Sequence, residues 1–286
     1  MTDPDSPTDA PRPTVDDVLQ ALELDRLDDG RWQGASVASE GPVVFGGQLI
    51  GQAIVAAAAA GPDKRITSVH TTFARTGRAD EPVSFDVERF HDGRSLASLT
   101  VTASQGDRRL ARSLLLLGAE EADIIRHAAA APATPGPDGA TAQPSALVNW
   151  DQRFVDDVDV FDPAVVGPPE LRIWSRFATE RPEPHVARAL LAWASVGSFI
   201  GTAMRPHPGM GLARAHRDVS TGVLSHTIAF HDEFTAGEWL LLALRSPYTG
   251  RGRAYGSGDV FTIDGGLVAS LAQESMIRPM TGGSGL

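Results

Sequence analysis

No cysteine occurs among the 286 residues. That excludes disulfides, thiol nucleophiles and thiolate metal sites, and it fits a cytoplasmic protein. Lysine is almost missing as well. Lys64 is the only one, so any phosphate clamp has to be built from arginine forks. Positive charge is short overall, with 25 Lys+Arg against 36 Asp+Glu, and the net charge of −11 argues against nucleic-acid partners. Residues 1–13 are acidic and proline-rich without an apolar stretch, which excludes a signal peptide there and predicts a disordered tail. The usual motifs of nucleophilic, metal and phosphate chemistry are absent too: no G-x-S-x-G elbow, H-E-x-x-H or P-loop. Chemistry in this chain has to run through bound water, with no cofactor and no metal.

What is present is a sizeable core, with 42% hydrophobic residues. The stretch from Val44 through Phe45-Gly46-Gly47-Gln48-Leu49-Ile50-Gly51-Gln52 to Ala60 organises the rest. It is a helix with small apolar side chains on every side, which belongs inside a fold. It is also shorter than the roughly 20 residues of a membrane span. Gly47 and Gly51 leave one face bare for another backbone or a ligand. A short helix capped by Thr14 and a strand at 31–37 precede it. Period-two strands follow at 66–73, 83–90, 96–104 and 110–117, with hairpin turns at 91–94 and 105–107. A glycine-first Rossmann reading fails, because antiparallel strands follow the helix.

The series then repeats. After an Ala/Pro/Gly/Thr-rich linker come strands at 155–161 and 171–177 and a helix from about His185 to Met204. Four more strands follow, at 222–230, 239–245, 253–263 and 267–277. Phe73 matches Phe230, and Leu110–Ser113 matches Leu267–Ser270, both 157 residues apart (230 − 73; 267 − 110). Duplication predicts an α+β fold of two tandem units, each a helix gripped by an antiparallel sheet. The division expected is a tail at 1–13, units at 14–120 and 151–280, a linker at 121–150 and a tail at 281–286.

Val44-Phe45-Gly46-Gly47-Gln48-Leu49-Ile50-Gly51-Gln52-Ala53 resembles the signature of the acyl-CoA thioesterase II family. His70-Thr71-Thr72-Phe73, His91-Asp92-Gly93-Arg94-Ser95, Arg205-Pro206-His207, Phe230-His231-Asp232-Glu233-Phe234, Gly237-Glu238-Trp239-Leu240-Leu241 and the run from Asp264 to Glu274 are similar to that family in the same order. The resemblance implies a double hot-dog fold and hydrolysis of acyl-CoA thioesters, with coenzyme A as part of the substrate. It also implies that an aspartate, a threonine and a glutamine hold the attacking water. Only the glutamine carries over, as Gln273; the aspartate position is Val196 and the threonine position Val223.

Gln273 shares a strand face with Leu267, Ala269 and Leu271, which predicts a buried amide. It can orient water or donate to a carbonyl, whereas proton abstraction needs another group, and general-base assistance is worth about 10²–10⁴ in rate. Glu40, His70, His226, His231 and Glu274 are the candidate bases, each also readable as a structural or surface group. The repeat offset sets Leu116 opposite Gln273 in the first half. Arg94 with Ser95, Arg251 and Arg253, in or near turns, are candidates for the phosphates of coenzyme A. The helix start at Gly46, Gly47 and Gln48 offers free N–H donors. Three readings remain: a thioester hydrolase, a noncatalytic acyl-CoA or lipid-binding protein on the same fold, and, less favoured, a hydratase lacking its Asp/His pair. A homo-oligomer of the tandem unit is an open expectation.

Overall fold

The computed structural model describes residues 12–37 and 42–280. Most of the predicted N-terminal tail, Glu40 and residues 281–286 lie outside them. Helix α1 (Val15–Ala21) opens on a capping box: Thr14 Oγ1 accepts from Asp17 N at 3.1 Å, and Asp17 Oδ2 accepts from Thr14 N at 2.7 Å. Strands β1 (Asp25–Asp28) and β2 (Arg31–Gly34) lead to the central helix α2 (Gly46–Ala60). Strands β3 (Arg65–Phe73), β4 (Val83–Asp92), β5 (Leu96–Gln105) and β6 (Arg108–Gly118) complete the first half. His91 and Asp92, predicted as turn, extend β4 instead, and the reversal falls at 93–95.

The second half follows the same plan. It comprises β7 (Thr141–Gln143), β8 (Trp150–Phe154), β9 (Glu170–Phe177), α3 (Pro184–Val196), α4 (Ser198–Met204), β10 (Val219–Phe230), β11 (Leu240–Gly250), β12 (Arg253–Thr262) and β13 (Leu267–Pro279). The strand predicted at 155–161 is a loop. Asp156 and Asp157 both take positive φ, 66° and 50°, which turns the chain where alternation alone suggested extension. The helix predicted at 185–204 is divided at Gly197. This run is long and apolar enough to cross a membrane, but most of it is buried within the fold, where it serves as core. Inside the predicted linker, β7 joins the sheet edge, and Pro135 O accepts from the indole Nε1 of Trp174 at 2.9 Å.

All thirteen strands form one antiparallel sheet in the order β1-β2-β4-β5-β6-β3-β10-β13-β12-β11-β9-β8-β7. Apart from β7 the order is a palindrome, with β3 and β10 at its centre. His70 there pairs with Thr227, its own repeat equivalent (227 − 70 = 157), so a local two-fold axis passes through that pair. Irregularities repeat too. The register shifts between Ile66 and Ser68 and again between Val223 and Ser225, and between Ala103 and Ser104 and again between Val260 and Phe261. Each is 157 residues on (223 − 66; 260 − 103).

One part of the predicted offset is corrected. Thr71 pairs with Ser113, while its equivalent Ile228 pairs with Leu271, so β6 and β13 are related by 158 residues (271 − 113). The β5–β6 hairpin has two loop residues and the β12–β13 hairpin four, from Ile263 to Gly266, which displaces the last strand. A slip of one residue moves every side chain to the other sheet face. Gln273 is therefore equivalent to buried Leu115; Leu116 lies on the exposed face.

The helices fill the hollow of this sheet back to back. A β-carbon on Gly47 would lie 2.8 Å from Trp193 Cα and 3.2 Å from Ala192 O, and one on Gly51 would lie 3.3 Å from Ala189 Cβ. The bare face of α2 is thus occupied by the backbone of α3. Phe45 and Trp193 close the contact with ring centroids 5.0 Å apart.

Candidate active site

Sheet register carries a polar row beneath the helices. Reading across the strands, Ser113 faces Thr71, Thr71 faces His226, His226 faces Gln273, and Gln273 faces Gly256. Ser113, Thr71, His226 and Gln273 are all buried, and Thr71 and Ser113 share a 2.7 Å hydrogen bond. From α3 above, Ser195 comes down with its Oγ 3.0 Å from His226 Nε2. The other ring nitrogen, Nδ1, is 2.8 Å from Gln273 Oε1, and Gln273 Nε2 donates to Ser275 Oγ at 2.8 Å. With the amide oxygen toward the ring, Nδ1 carries the proton and Nε2 accepts from Ser195. The chain Ser195–His226–Gln273–Ser275 then runs donor to acceptor in one direction, ending at the Ser275 hydroxyl, which accepts without donating onward.

Burial sets the charge of this chain. Removing water from the imidazolium lowers the His226 pKa from 6.5 to about 4; the Gln273 bond acts the other way, and nearby His70 adds a smaller lowering. His226 is neutral near pH 7. The edge of Phe199 closes on its ring at 6.0 Å, and Phe199 in turn fills the space that the missing side chain of Gly256 leaves open.

Val223 sits on β10 at the N-terminus of α2, where a β-carbon on Gly46 would meet its Cγ1 at 2.9 Å and Phe73 at 3.4 Å. Gly46, Phe45, Phe73 and Val223 are each half-buried, in contrast to the fully buried row. Val196 is buried at the end of α3, next in the chain to Ser195. The other predicted residues fall in several places. Gln48 is spent within the fold: its Oε1 accepts from Val37 N at 3.0 Å, and its Nε2 donates to Ala35 O at 3.2 Å and Gln52 Oε1 at 3.2 Å. Exposed Arg94 and half-buried Ser95 lie in the β4–β5 hairpin, and Arg89 of the same β-ribbon donates to Ala60 O at the C-terminal end of α2. Arg251, the repeat equivalent of Arg94 (251 − 94 = 157), has φ 53° in the β11–β12 hairpin, beside Ile277, which donates to Gly252 O. Arg253 pairs with Glu274 at 3.4 Å. The Arg251 hairpin therefore shares the α2 N-terminal end with Val223 and Ser275, whereas Arg94 is at the other end.

Among the candidate bases, His70 bonds Thr227 Oγ1 at 2.7 Å and His231 bonds Ser270 Oγ at 3.0 Å, both exposed. Glu274 is half-buried in its pair with Arg253, on the sheet face opposite Gln273. Among the described residues no carboxylate hydrogen-bonds any member of the buried chain. A surface cleft of about 840 Å³, lined by residues such as Asp16, Gln20, Arg176 and Arg181, is elsewhere and touches none of these groups. Two members, Ser195 and Ser275, escaped sequence reasoning. Ser275 was findable, since it shares strand parity with Gln273; Ser195 was not, because nothing sequential links it to β10.

A palindromic antiparallel sheet wrapped on two adjacent helices, with one buried polar position and one hydrocarbon equivalent, defines a double hot-dog protein. A family model described as the acyl-CoA thioesterase N-terminal domain matches residues 35–118, and one described as the C-terminal domain matches 127–277. The chain belongs to the acyl-CoA thioesterase II family. It is 28% identical to acyl-CoA thioesterase 2 of Haemophilus influenzae, over 92% of this chain and 98% of that one. It is 27% identical to acyl-coenzyme A thioesterase 8 of Homo sapiens, over 91% of this chain and 88% of that one. Among solved structures, an acyl-CoA thioesterase II of Mycobacterium marinum superposes with a TM-score of 0.78 at 30% identity, covering 93% of this chain and all (100%) of that one. A hot-dog protein of Alicyclobacillus acidocaldarius, 19% identical with a TM-score of 0.74 over 92% of this chain and 98% of its own, shares the fold.

Proposed function

We propose that this protein hydrolyses acyl-CoA thioesters at the position of Gln273. Water adds to the thioester carbonyl, the C–S bond breaks, and the products are a free carboxylate, a proton and coenzyme A as the thiol. The observation that supports this reading is the buried Gln273 amide, oriented by His226 and Ser275, in a chain whose relatives are named acyl-CoA thioesterases. The amide serves as a hydrogen-bond donor toward carbonyl oxygen, where such donors act on developing charge. In this reading the N–H groups of Gly46 and Gly47 receive the substrate carbonyl and the Arg251–Arg253 hairpin its phosphates, while the Gln48 N–H, expected to be free, already donates to Phe45 O at 3.1 Å.

With Val196 and Val223 in place of polar water-holding groups, hydrolysis is expected to lack general-base help and to run about 10²–10⁴ slower than a site that has it. Those same two valines favour a second reading, a protein that binds acyl-CoA or a related lipid without turning it over. Release of thiol from a panel of acyl-CoAs separates the two. Turnover that Gln273→Ala leaves unchanged would remove this site from the reaction. The paired substitution Val196→Asp with Val223→Thr is expected to raise the rate. Tight binding with no thiol release would establish the second reading.

A further inference from the structure

Resting on the hydrolytic reading, we propose that Ser275 supplies the hydroxyl that meets the substrate carbonyl, with His226 as the residue that positions it through Gln273. Three observations carry this. Ser275 Oγ accepts from Gln273 Nε2 at 2.8 Å, which occupies one of its lone pairs and leaves its proton free. Among the described residues that proton meets no acceptor, although the residue is only 2% exposed. A buried hydroxyl with an unused donor is costly unless something arrives to take it.

The third observation is register. Ser275 is the cross-strand partner of Val223, on the same inward face, and Val223 is the residue against Gly46 at the start of α2. The hydroxyl on β13 thus stands one strand away from a hydrocarbon on β10, beside the half-buried Gly46 and Phe73. The direction of the hydrogen bonds decides the role. His226 Nδ1–H fills a lone pair of Gln273 Oε1 and thereby fixes which end of the amide faces Ser275. Ser195 on Nε2 holds the ring against rotation. The outcome is an N–H and an O–H side by side, a pair suited to a carbonyl oxygen rather than to drawing a proton from water.

The test compares kcat and KM for acyl-CoA hydrolysis in the full-length wild type, Ser275→Ala, Ser275→Thr and the double variant Ser275→Ala with Val223→Thr, with thermal melting followed alongside. Loss of one donor of this kind is expected to lower kcat about 10²-fold at nearly constant KM. Ser275→Thr is expected to keep most of the activity. Threonine at 223 returns a hydroxyl from the neighbouring strand and should restore kcat at least about tenfold over Ser275→Ala. Wild-type kcat in Ser275→Ala would overturn the inference and leave the hydrolytic reading standing. So would a loss that Val223→Thr does not mend and that tracks the melting temperature. A wild type that releases no thiol from any acyl-CoA would overturn both.

Discussion

Acidification should unlock the core at a single side chain. His226 is fully buried and neutral, with a pKa of about 4 against 6.5 for an ordinary histidine. Between those values the unfolded chain binds a proton at this residue and the folded one does not, so stability rises with pH through that window. The contribution is complete above about 6.5 and is lost as pH falls through about 4. A difference of about 2.5 units corresponds to about 3 kcal/mol at 1.36 kcal/mol per unit. That is a large part of the roughly 5–15 kcal/mol by which domains are stable. Urea unfolding of the wild type and of His226→Gln across pH 4–7 isolates the effect, because the surface carboxylates titrate alike in both. The variant will be less stable at pH 7 through lost packing and hydrogen bonds, but the gap should close by about 3 kcal/mol toward pH 4. Parallel curves over that range would refute the buried, neutral assignment.

Gly47→Ala should be costly in a way that an alanine in a helix ordinarily is not. Its methyl would press on Trp193 Cα at 2.8 Å and Ala192 O at 3.2 Å, backbone atoms that move only if α3 moves, so a loss of about 1–3 kcal/mol in thermal or urea unfolding is expected. The two equivalent hairpin arginines should separate in kinetics. Arg251→Ala is expected to raise KM for acyl-CoA several-fold with kcat little changed, and Arg94→Ala, at the far end of α2, to leave both constants where they were.

The architecture was largely legible because its signals are local. A glycine-flanked, all-apolar helix and four alternating strands, met twice, left little room for another arrangement. What could not be read were quantities that local pattern does not encode. The offset of 157 was right for β3 and β10 but failed at β13, since a longer hairpin shifts a strand without disturbing its alternation. Val155 to Phe161 alternates as a strand would, yet two aspartates in left-handed conformation turn it. At the site, parity predicted Gln273 buried and it is. The contact that completes the chain was hidden because Ser195 and His226 are brought together by a helix crossing a sheet, 31 residues apart in sequence (226 − 195). Gln48 shows the converse: a polar residue in a conspicuous motif, engaged with Gln52 in its own helix and in tying α2 to the chain around Ala35 and Val37.

The axis through His70 and Thr227 also bears on how such a protein can change. Two identical subunits meeting across a dyad inherit every mutation twice, so neither pocket can be altered alone. Joined in one polypeptide, the halves are released from that constraint. Leu115 and Gln273 occupy matching stations, one a hydrocarbon and the other an amide. A single codon now edits one half, leaving its twin free to serve as scaffold.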